Sequence, residues 1–366
     1  MKVGYYAPLP PARTGVAQYA EALLRALRSR VEIAVNSPGE VNLYHIGNNA
    51  LHRNIYERAL AQPGVVILHD AVLHHLLLGS LGREGYIQEF IYNYGGWSCE
   101  LATELWAHRA RSAADPRFFR YPMLRRIAER SKVLVVHNPE AAAAVIRHGS
   151  QARVVEIPHL YEPAPEPSEI EVREFLQRYG IPDCRCLFGV FGHLRESKRL
   201  WQVLRALDRT PGAALVLAGG FASSDLWEAL RPELAQRPNV CWTGYLNEAD
   251  FRRCAHAVDV CVNLKYPAAG ETSGIAVRLM GAGKPVILTA CGENARFPED
   301  ICLRVEAGPC ETEMLAHYMA WLMEDRAAAR VIGRRARAYV EKWHSLERVS
   351  LEIFETICQA ARDGAR

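Results

Sequence analysis

Short apolar runs alternate with longer amphipathic stretches along the first half of the chain. The runs Val3–Tyr6, Val31–Ala34, Leu43–Ile46, Val65–Leu68 and Val133–Val136 predict strands. Between them the spacing predicts helices over Gly15–Arg28, Asn49–Ala61, Leu73–Leu81, Gly85–Ala110 and Tyr121–Ser131. Strands buried on both faces and separated by helices are the pattern of βαβ units, hence of an α/β fold with a parallel sheet. The second half repeats the pattern with a helix at Glu169–Tyr179 and strands at Cys186–Val190, Ala214–Leu217, Val240–Thr243, Val258–Leu264 and Val286–Leu288. It closes in helical text, Arg326–Trp343 and Leu346–Arg362, and the last helix carries Leu346, Val349, Ile353, Ile357 and Ala360 on one face.

Between the halves, Pro163, Pro165 and Pro167 alternate within Leu160–Ser168, a segment that neither a helix nor a central strand would tolerate. The chain therefore divides into a first domain at 1–161, an extended linker at 162–168, a second domain at 169–343 and a final helix at 344–366.

Composition narrows the function classes. At 366 residues the chain can bury two cores, and 49% hydrophobic and 23% charged residues with a net charge of +3 describe a globular protein with no basic footprint for nucleic acid. No apolar run approaches the ~20 residues of a membrane-spanning helix. The ten cysteines are scattered, and the close pair Cys184 and Cys186 has no second pair at zinc-site spacing, so reduced thiols in a cytoplasmic protein and no metal site are expected.

In a doubly wound sheet, ligands gather beyond the carboxyl ends of the strands. In the first domain those ends carry the loop from Pro8 to Gly15, His45-Ile46-Gly47-Asn48, His69-Asp70 and His137-Asn138. Gly15 opens the first helix and would let backbone approach a ligand closely, but its loop is neither a dinucleotide fingerprint nor a P-loop. His69-Asp70 ends a very apolar strand, where a polar pair needs water, a ligand or a protein partner. In the second domain, Gly192-His193-Leu194-Arg195-Glu196-Ser197-Lys198-Arg199 is a strand end, a basic loop and a helix start. Lys198 and Arg199 oppose the helix dipole's preference for acids, as expected if an anion is bound there; a solvated charge run is the alternative. The stretch from Gly270 to Ile287 reads as a glycine-bracketed loop, a short apolar helix and a Gly-Lys-Pro turn into a strand. Thr272, Ser273 and Gly274 at that helix start suit a diphosphate. Glu271 beside them either accepts hydrogen bonds from a neutral group such as a sugar hydroxyl or is simply a first-turn helix residue with Ser273 as cap.

With these residues placed, the chain resembles the retaining, nucleotide-sugar-dependent glycosyltransferases of family 4 along nearly its whole length. The resemblance rests on Gly192-His193-Leu194 through Lys198, on Leu215–Gly220, on Trp242-Thr243-Gly244-Tyr245 leading to Ala257-Val258-Asp259-Val260, and on Glu271 through Gly283-Lys284-Pro285-Val286-Ile287. It implies the GT-B fold, two Rossmann-like domains facing across a cleft, with the last helix crossing back to the first domain. Lys198 then matches the lysine on the donor diphosphate, Glu271 the glutamate touching the donor sugar, and Thr272, Ser273 and Gly274 the backbone amides. His69 matches the histidine beside the transferred sugar, and Gly15 the glycine over the phosphates. Gly244 and Tyr245 fall on the donor side as well.

The chain departs from the family pattern in two places. His193 stands where an arginine is usual, with Arg195 a nearby substitute; the second motif glutamate is absent, its place taken by Leu279 or, anchored on the Gly-Lys-Pro turn, by Arg278. Arg278 is expected to pack away from the ligand or to pair with a carboxylate, leaving ribose to backbone groups or to Glu293. The resemblance implies transfer of a hexose from a GDP- or UDP-linked donor, of mannose or glucose type, to a glycan, lipid-linked or small-molecule hydroxyl in polysaccharide biosynthesis, with no cofactor and no metal. The alternatives are an inactive sugar-nucleotide-binding subunit and a nucleotide-sugar epimerase, for which the first domain offers few acids beyond Asp70. Tyr92–Trp97 and Arg117–Tyr121 are candidate acceptor segments, the second either a contact with the inner face of a membrane or a buried helix start. Oligomeric state is not written in the sequence.

Overall fold

The computed structural model describes residues 1–148 and 153–364. The chain forms two compact units. The first takes in residues Met1–Glu162, Pro267–Thr272 and His344–Arg366, and the second Pro163–Tyr266 and Ser273–Trp343.

In unit 1 the order is β1 (Lys2–Tyr6), α1 (Gly15–Arg28), β2 (Glu32–Val35), β3 (Val41–Ile46), α2 (Arg53–Ala61), β4 (Val65–Leu68), α3 (His74–Ser80), α4 (Arg83–Tyr94), α5 (Cys99–Ala107), α6 (Arg117–Arg120), α7 (Arg125–Arg130), β5 (Val133–Val136), α8 (Pro139–Arg147) and β6 (Arg153–Glu156). Among the described residues the sheet has the order β2-β1-β3-β4-β5-β6, and every pairing is parallel. Every residue of β3, β4 and β5 is buried, which explains why the text of β4 and β5 is apolar without alternation, while β3 buries Asn42 and His45 among apolar residues.

Unit 2 runs α9 (Glu169–Arg178), β7 (Cys186–Phe191), α10 (Leu200–Asp208), β8 (Ala213–Ala218), α11 (Ser224–Ala235), β9 (Val240–Trp242), α12 (Glu248–Ala257), β10 (Val260–Asn263), α13 (Gly274–Gly281), β11 (Val286–Thr289), β12 (Cys302–Val305), α14 (Glu311–Glu324) and α15 (Arg326–Trp343). Its sheet is again parallel, in the order β12-β11-β10-β7-β8-β9. The last helix, α16 (Leu346–Gly364), belongs to unit 1, where Val349, Ile353, Ile357 and Ala360 enter the core with Leu23, Leu27, Leu43 and Val65.

The structure corrects several sequence expectations. The helix expected over Gly85–Ala110 breaks after Tyr94, because Gly95 takes φ 93° and ψ 167°, and a new helix starts at Cys99. α8 was missed although Asn138 and Pro139 mark its start, and β6 and β12 because their partly exposed residues mix charges with apolar ones. The segment Pro267–Thr272, assigned from sequence to the second domain, packs with unit 1. The reason is tertiary: Asn138 Nδ2 donates to Gly270 O and to Thr272 Oγ1, both at 3.1 Å, and Gly270 lies against Ala71 so closely that an added Cβ would come within 2.5 Å. In Arg117–Tyr121, Phe118 is fully buried in the core, Arg117 pairs with Asp115 and Glu104, and the segment forms the short helix α6 with Arg120 exposed.

Candidate functional site

At the strand ends of unit 1, imidazoles are held neutral by burial. β4 delivers His69, whose backbone N–H donates to Ile46 O at 2.8 Å and whose Nε2 shares a 3.1 Å hydrogen bond with Nδ1 of His45 at the end of β3. β5 delivers His137, whose Nδ1–H donates to Ile157 O at 2.9 Å, which makes Nε2 the unprotonated nitrogen of the neutral ring. His69, His45, His137 and His159 all pack around the ring of Tyr19, with His69 at 4.8 Å edge-on. Burial pushes the imidazoles down, His45 to about 3, His137 to about 4 and His69 well below the ordinary value, each neighbouring imidazole adding to the effect on His69. All three are uncharged at neutral pH. His69 is thus a hydrogen-bonding group rather than a cation.

Asp70 is occupied structurally, its Oδ2 accepting the backbone N–H of Asn48 at 2.8 Å. Asn48 Oδ1 accepts in turn from the Leu76 N–H in the first turn of α3. His69-Asp70 is therefore a strand end stitched to its neighbouring loop, and the two side chains do not form a dyad. Gly15 is the first residue of α1 behind the cap Thr14, whose Oγ1 accepts from Ala17 N at 3.0 Å, and a methyl built on it would meet nothing within 4 Å. The loop carrying Glu271 is clamped onto this edge: Thr272 Oγ1 donates to His137 O at 3.1 Å, and the Glu271 carboxylate accepts from Ala269 N at 2.9 Å. Gly270, at φ 75°, makes the turn that presents Glu271.

In unit 2 the strand ends are cationic and lined with glycine. β7 runs into Gly192, at φ 84°, and β8 into Gly219, where an added Cβ would lie 1.9 Å from Gly192 O. Leu194 N donates to Gly220 O, and the loop then turns through Arg195 to Lys198 before α10. Arg195 and His193 are exposed. Lys198 is half-buried, its Nζ donating to Asn263 Oδ1 at 3.2 Å, and no carboxylate pairs with it among the described residues. Burial, reinforced by the Arg195 charge, lowers the ammonium to about 8. Asn263 also donates through Nδ2 to Ser273 Oγ at 2.9 Å, and Ser273 caps α13 by accepting from Ala276 N at 3.3 Å. The lysine and the start of α13 are thereby linked through one amide.

Arg199, read from sequence beside Lys198 as an anion ligand, has another role. Its guanidinium meets Glu311, with Nε 2.9 Å and Nη2 2.5 Å from Oε2, and that carboxylate is 1% exposed. Arg278 donates to Glu248 Oε1 at 2.5 Å and lies 3.8 Å over the Phe251 ring, so it faces α12. Gly244 follows β9 at φ 70° and the half-exposed Tyr245 follows it. Glu293, past the end of β11, sits against the thiol of Cys291, which burial and that carboxylate push up to about 12. Asn263 is the residue sequence reasoning missed, its only local signal being an asparagine at the end of a strand. Asn138, placed from sequence at the end of β5, also caps α8 and clamps the Glu271 loop.

Comparison with known proteins bears on what such an arrangement does. The sequence model described as glycosyl transferases group 1 matches residues 171–339. An uncharacterized glycosyltransferase of Methanocaldococcus jannaschii is 26% identical over 162 residues, which is 43% of this chain and 39% of that protein. The D-inositol 3-phosphate glycosyltransferase of Mycobacterium marinum is 32% identical over 107 residues, 28% of this chain and 22% of that one. The chain thus spans well under half the length of the curated relatives it matches. Among solved structures, HepE of Anabaena in complex with UDP-glucose superimposes with a TM-score of 0.68 at 14% identity, covering 98% of this chain and 100% of HepE. WaaG, a glycosyltransferase involved in lipopolysaccharide biosynthesis, gives 0.63 at 17% identity, covering 98% and 99%. These likenesses establish the GT-B fold, and together with the match over residues 171–339 they support a glycosyltransferase.

Proposed function

We propose that the protein is a retaining glycosyltransferase of the family 4 type, moving a hexose from a nucleoside diphosphate donor to an acceptor hydroxyl without a metal ion. The observation that carries this reading is Lys198: a half-buried ammonium, tied to the capped start of α13 and lacking a carboxylate, is placed for an anion that arrives from solution. A diphosphate leaving group is such an anion. UDP is the first nucleotide to test, since HepE of the same fold is seen with UDP and UDP-glucose.

In this reading the bond between the anomeric carbon and the phosphate oxygen breaks with its electron pair going to the phosphate. Lys198, Arg195 and the amides of Gly274 and Ile275 stabilise that charge. The acceptor oxygen forms the new bond on the same face of the sugar, and its proton passes to the departing phosphate oxygen. Glu271 and the neutral His69 hold the sugar by hydrogen bonds, the carboxylate also favouring positive charge at the anomeric carbon. Ribose is left to backbone groups and Glu293, because Arg278 is paired with Glu248.

A thermal-shift panel of nucleoside diphosphates tests the binding half, since a ligand at about 100 times its Kd stabilises by about 2.7 kcal/mol. Absence of any shift with millimolar UDP, GDP or ADP would remove the reading. Sugar transfer, or slow donor hydrolysis, should then persist in EDTA; complete loss restored by Mg²⁺ or Mn²⁺ would show that a metal is required.

A further inference from the structure

Lys198 and Arg199 are neighbours with opposite surroundings. Arg199 is neutralised by a buried glutamate, whereas the acceptor for Lys198 Nζ is the side-chain carbonyl of Asn263, at 3.2 Å. Asn263 is 4% exposed at the end of β10, the strand beside β7, and its other hand, Nδ2, donates at 2.9 Å to Ser273 Oγ. Ser273 Oγ in turn accepts from Ala276 N and so closes the first turn of α13. An amide is the side chain of this size that can accept from an ammonium with one atom and donate to a hydroxyl with the other. A carboxylate could make contacts of the same length, but it would neutralise the lysine.

We propose that Asn263 is a positioning residue that aligns the Lys198 ammonium with the first turn of α13 while leaving its charge uncompensated, so that the incoming diphosphate, not the protein, supplies the counter-charge. The inference rests on the reading of this edge as a diphosphate site. The groups that face Lys198 fit it. Arg195 from the same loop adds positive charge, and Cys261 of β10 is a thiol that burial holds at about 12, hence neutral at physiological pH. Burial lowers the ammonium to about 8, with Cys261 opposing that shift and the Arg195 charge adding to it, and an anion bound beside it would stabilise the charged form.

The isosteric variant Asn263→Asp tests the assignment, with Asn263→Leu as the variant that removes both hands. Two measurements are made on the full chain. The first is the titration of Lys198 in the ligand-free protein, followed by NMR of lysines labelled at Cε and assigned with Lys198→Arg. In wild type it should centre near pH 8. In Asn263→Asp it should rise by at least one pH unit, because the new carboxylate compensates the ammonium that the amide leaves uncompensated. The second is calorimetric affinity for UDP and for inorganic diphosphate at pH 7.5, which should weaken at least tenfold in Asn263→Asp and also in Asn263→Leu, in the latter through loss of alignment. An unmoved Lys198 titration in Asn263→Asp overturns the proposal, and so does a raised titration with unchanged diphosphate affinity. If wild type binds neither probe, the diphosphate site itself is wrong; the ligand-free titration still reports whether Asn263 sets the charge of Lys198, so the two failures are told apart.

Discussion

The two units present the same architectural edge with opposite chemistry. In unit 1 the strand ends carry His45, His69 and His137, buried and neutral, with a single carboxylate loop clamped on them through Asn138. In unit 2 they carry Lys198, Arg195, two close-packed glycine loops and the start of α13. A parallel sheet gathers loops at one edge whatever their content, so the fold alone does not choose a ligand. Side-chain charge chooses. The cationic edge suits a diphosphate, and the neutral edge suits a hydroxyl-bearing group that takes and gives hydrogen bonds without changing charge.

The largest expected effect breaks the comparison on the neutral side. Glu271→Ala removes the carboxylate that the turn at Gly270 presents, and transfer should fall by about three orders of magnitude or more if both sugar positioning and charge stabilisation are lost. Affinity for free UDP should stay within about twofold of wild type, because the free nucleotide has no sugar for Glu271 to touch. Equal loss of affinity for UDP and for UDP-hexose in calorimetry would move Glu271 to the nucleotide and erase the division.

On the cationic side, Lys198→Ala should weaken nucleoside diphosphate binding and transfer together by about 10- to 100-fold, the loss of one charge-assisted hydrogen bond of ~1.5–3 kcal/mol. The ammonium also titrates. With its proton lost near pH 8 in the empty protein, wild-type affinity for UDP should fall about tenfold between pH 7 and pH 9, and Lys198→Ala should flatten that slope. A wild-type slope retained in the variant would assign the titration to another group.

How much of this was legible in the sequence depends on whether a residue acts locally or across the chain. Lys198 and Arg199 are adjacent in the same basic loop, and nothing local separates their roles; Glu311, which neutralises Arg199, lies 112 residues away. The carboxylate loop could be located from its glycines, but not its allegiance to unit 1, since the clamp comes from Asn138, 134 residues before Thr272. Asn263 was invisible for the same reason: an asparagine closing a strand reads as a turn residue until Lys198 and Ser273 are seen on its two hands. Buried strands such as β4 and β5 were readable because burial on both faces leaves continuous apolar text, whereas β6 and β12 carry charges among partly exposed positions and were not. The break at Gly95 lay within otherwise helical text.

The neutrality of the unit 1 edge has its own signature in stability. His45 and His137 are held near 3 and 4 in the folded chain, against about 6.5 when unfolded, so the unfolded chain binds more protons between those values. Their depressed values therefore leave stability full above about pH 6.5 and lower it as pH falls from there towards 4, on the order of 2 kcal/mol for each histidine by pH 5. His137→Gln keeps a polar side chain but cannot titrate. Whatever its stability at pH 7.5, its loss between pH 6.5 and 5 should be about 2 kcal/mol smaller than wild type in denaturant unfolding, and parallel curves would show that His137 is protonated in the folded chain.

The smallest expected effect concerns Arg278, which the comparison places outside the cationic edge even though it belongs to the same short helix, α13. Its guanidinium is held by the half-exposed Glu248 and stacks on Phe251, so it is a brace between α13 and α12. A surface ion pair contributes up to about 1 kcal/mol and a cation–π contact a similar amount, so Arg278→Ala should lower stability by about 1–2 kcal/mol and leave UDP affinity unchanged. Arg278→Glu would set two carboxylates together and destabilise a little further, again with no gain in nucleotide binding. A selective loss of affinity in Arg278→Ala for donors whose sugar carries a carboxylate, with UDP affinity intact, would bring Arg278 into the donor site and place a cation among the sugar contacts. The division of labour between the two edges would then have to be redrawn around a uronic acid donor, with Glu248 displaced from the guanidinium when that donor binds.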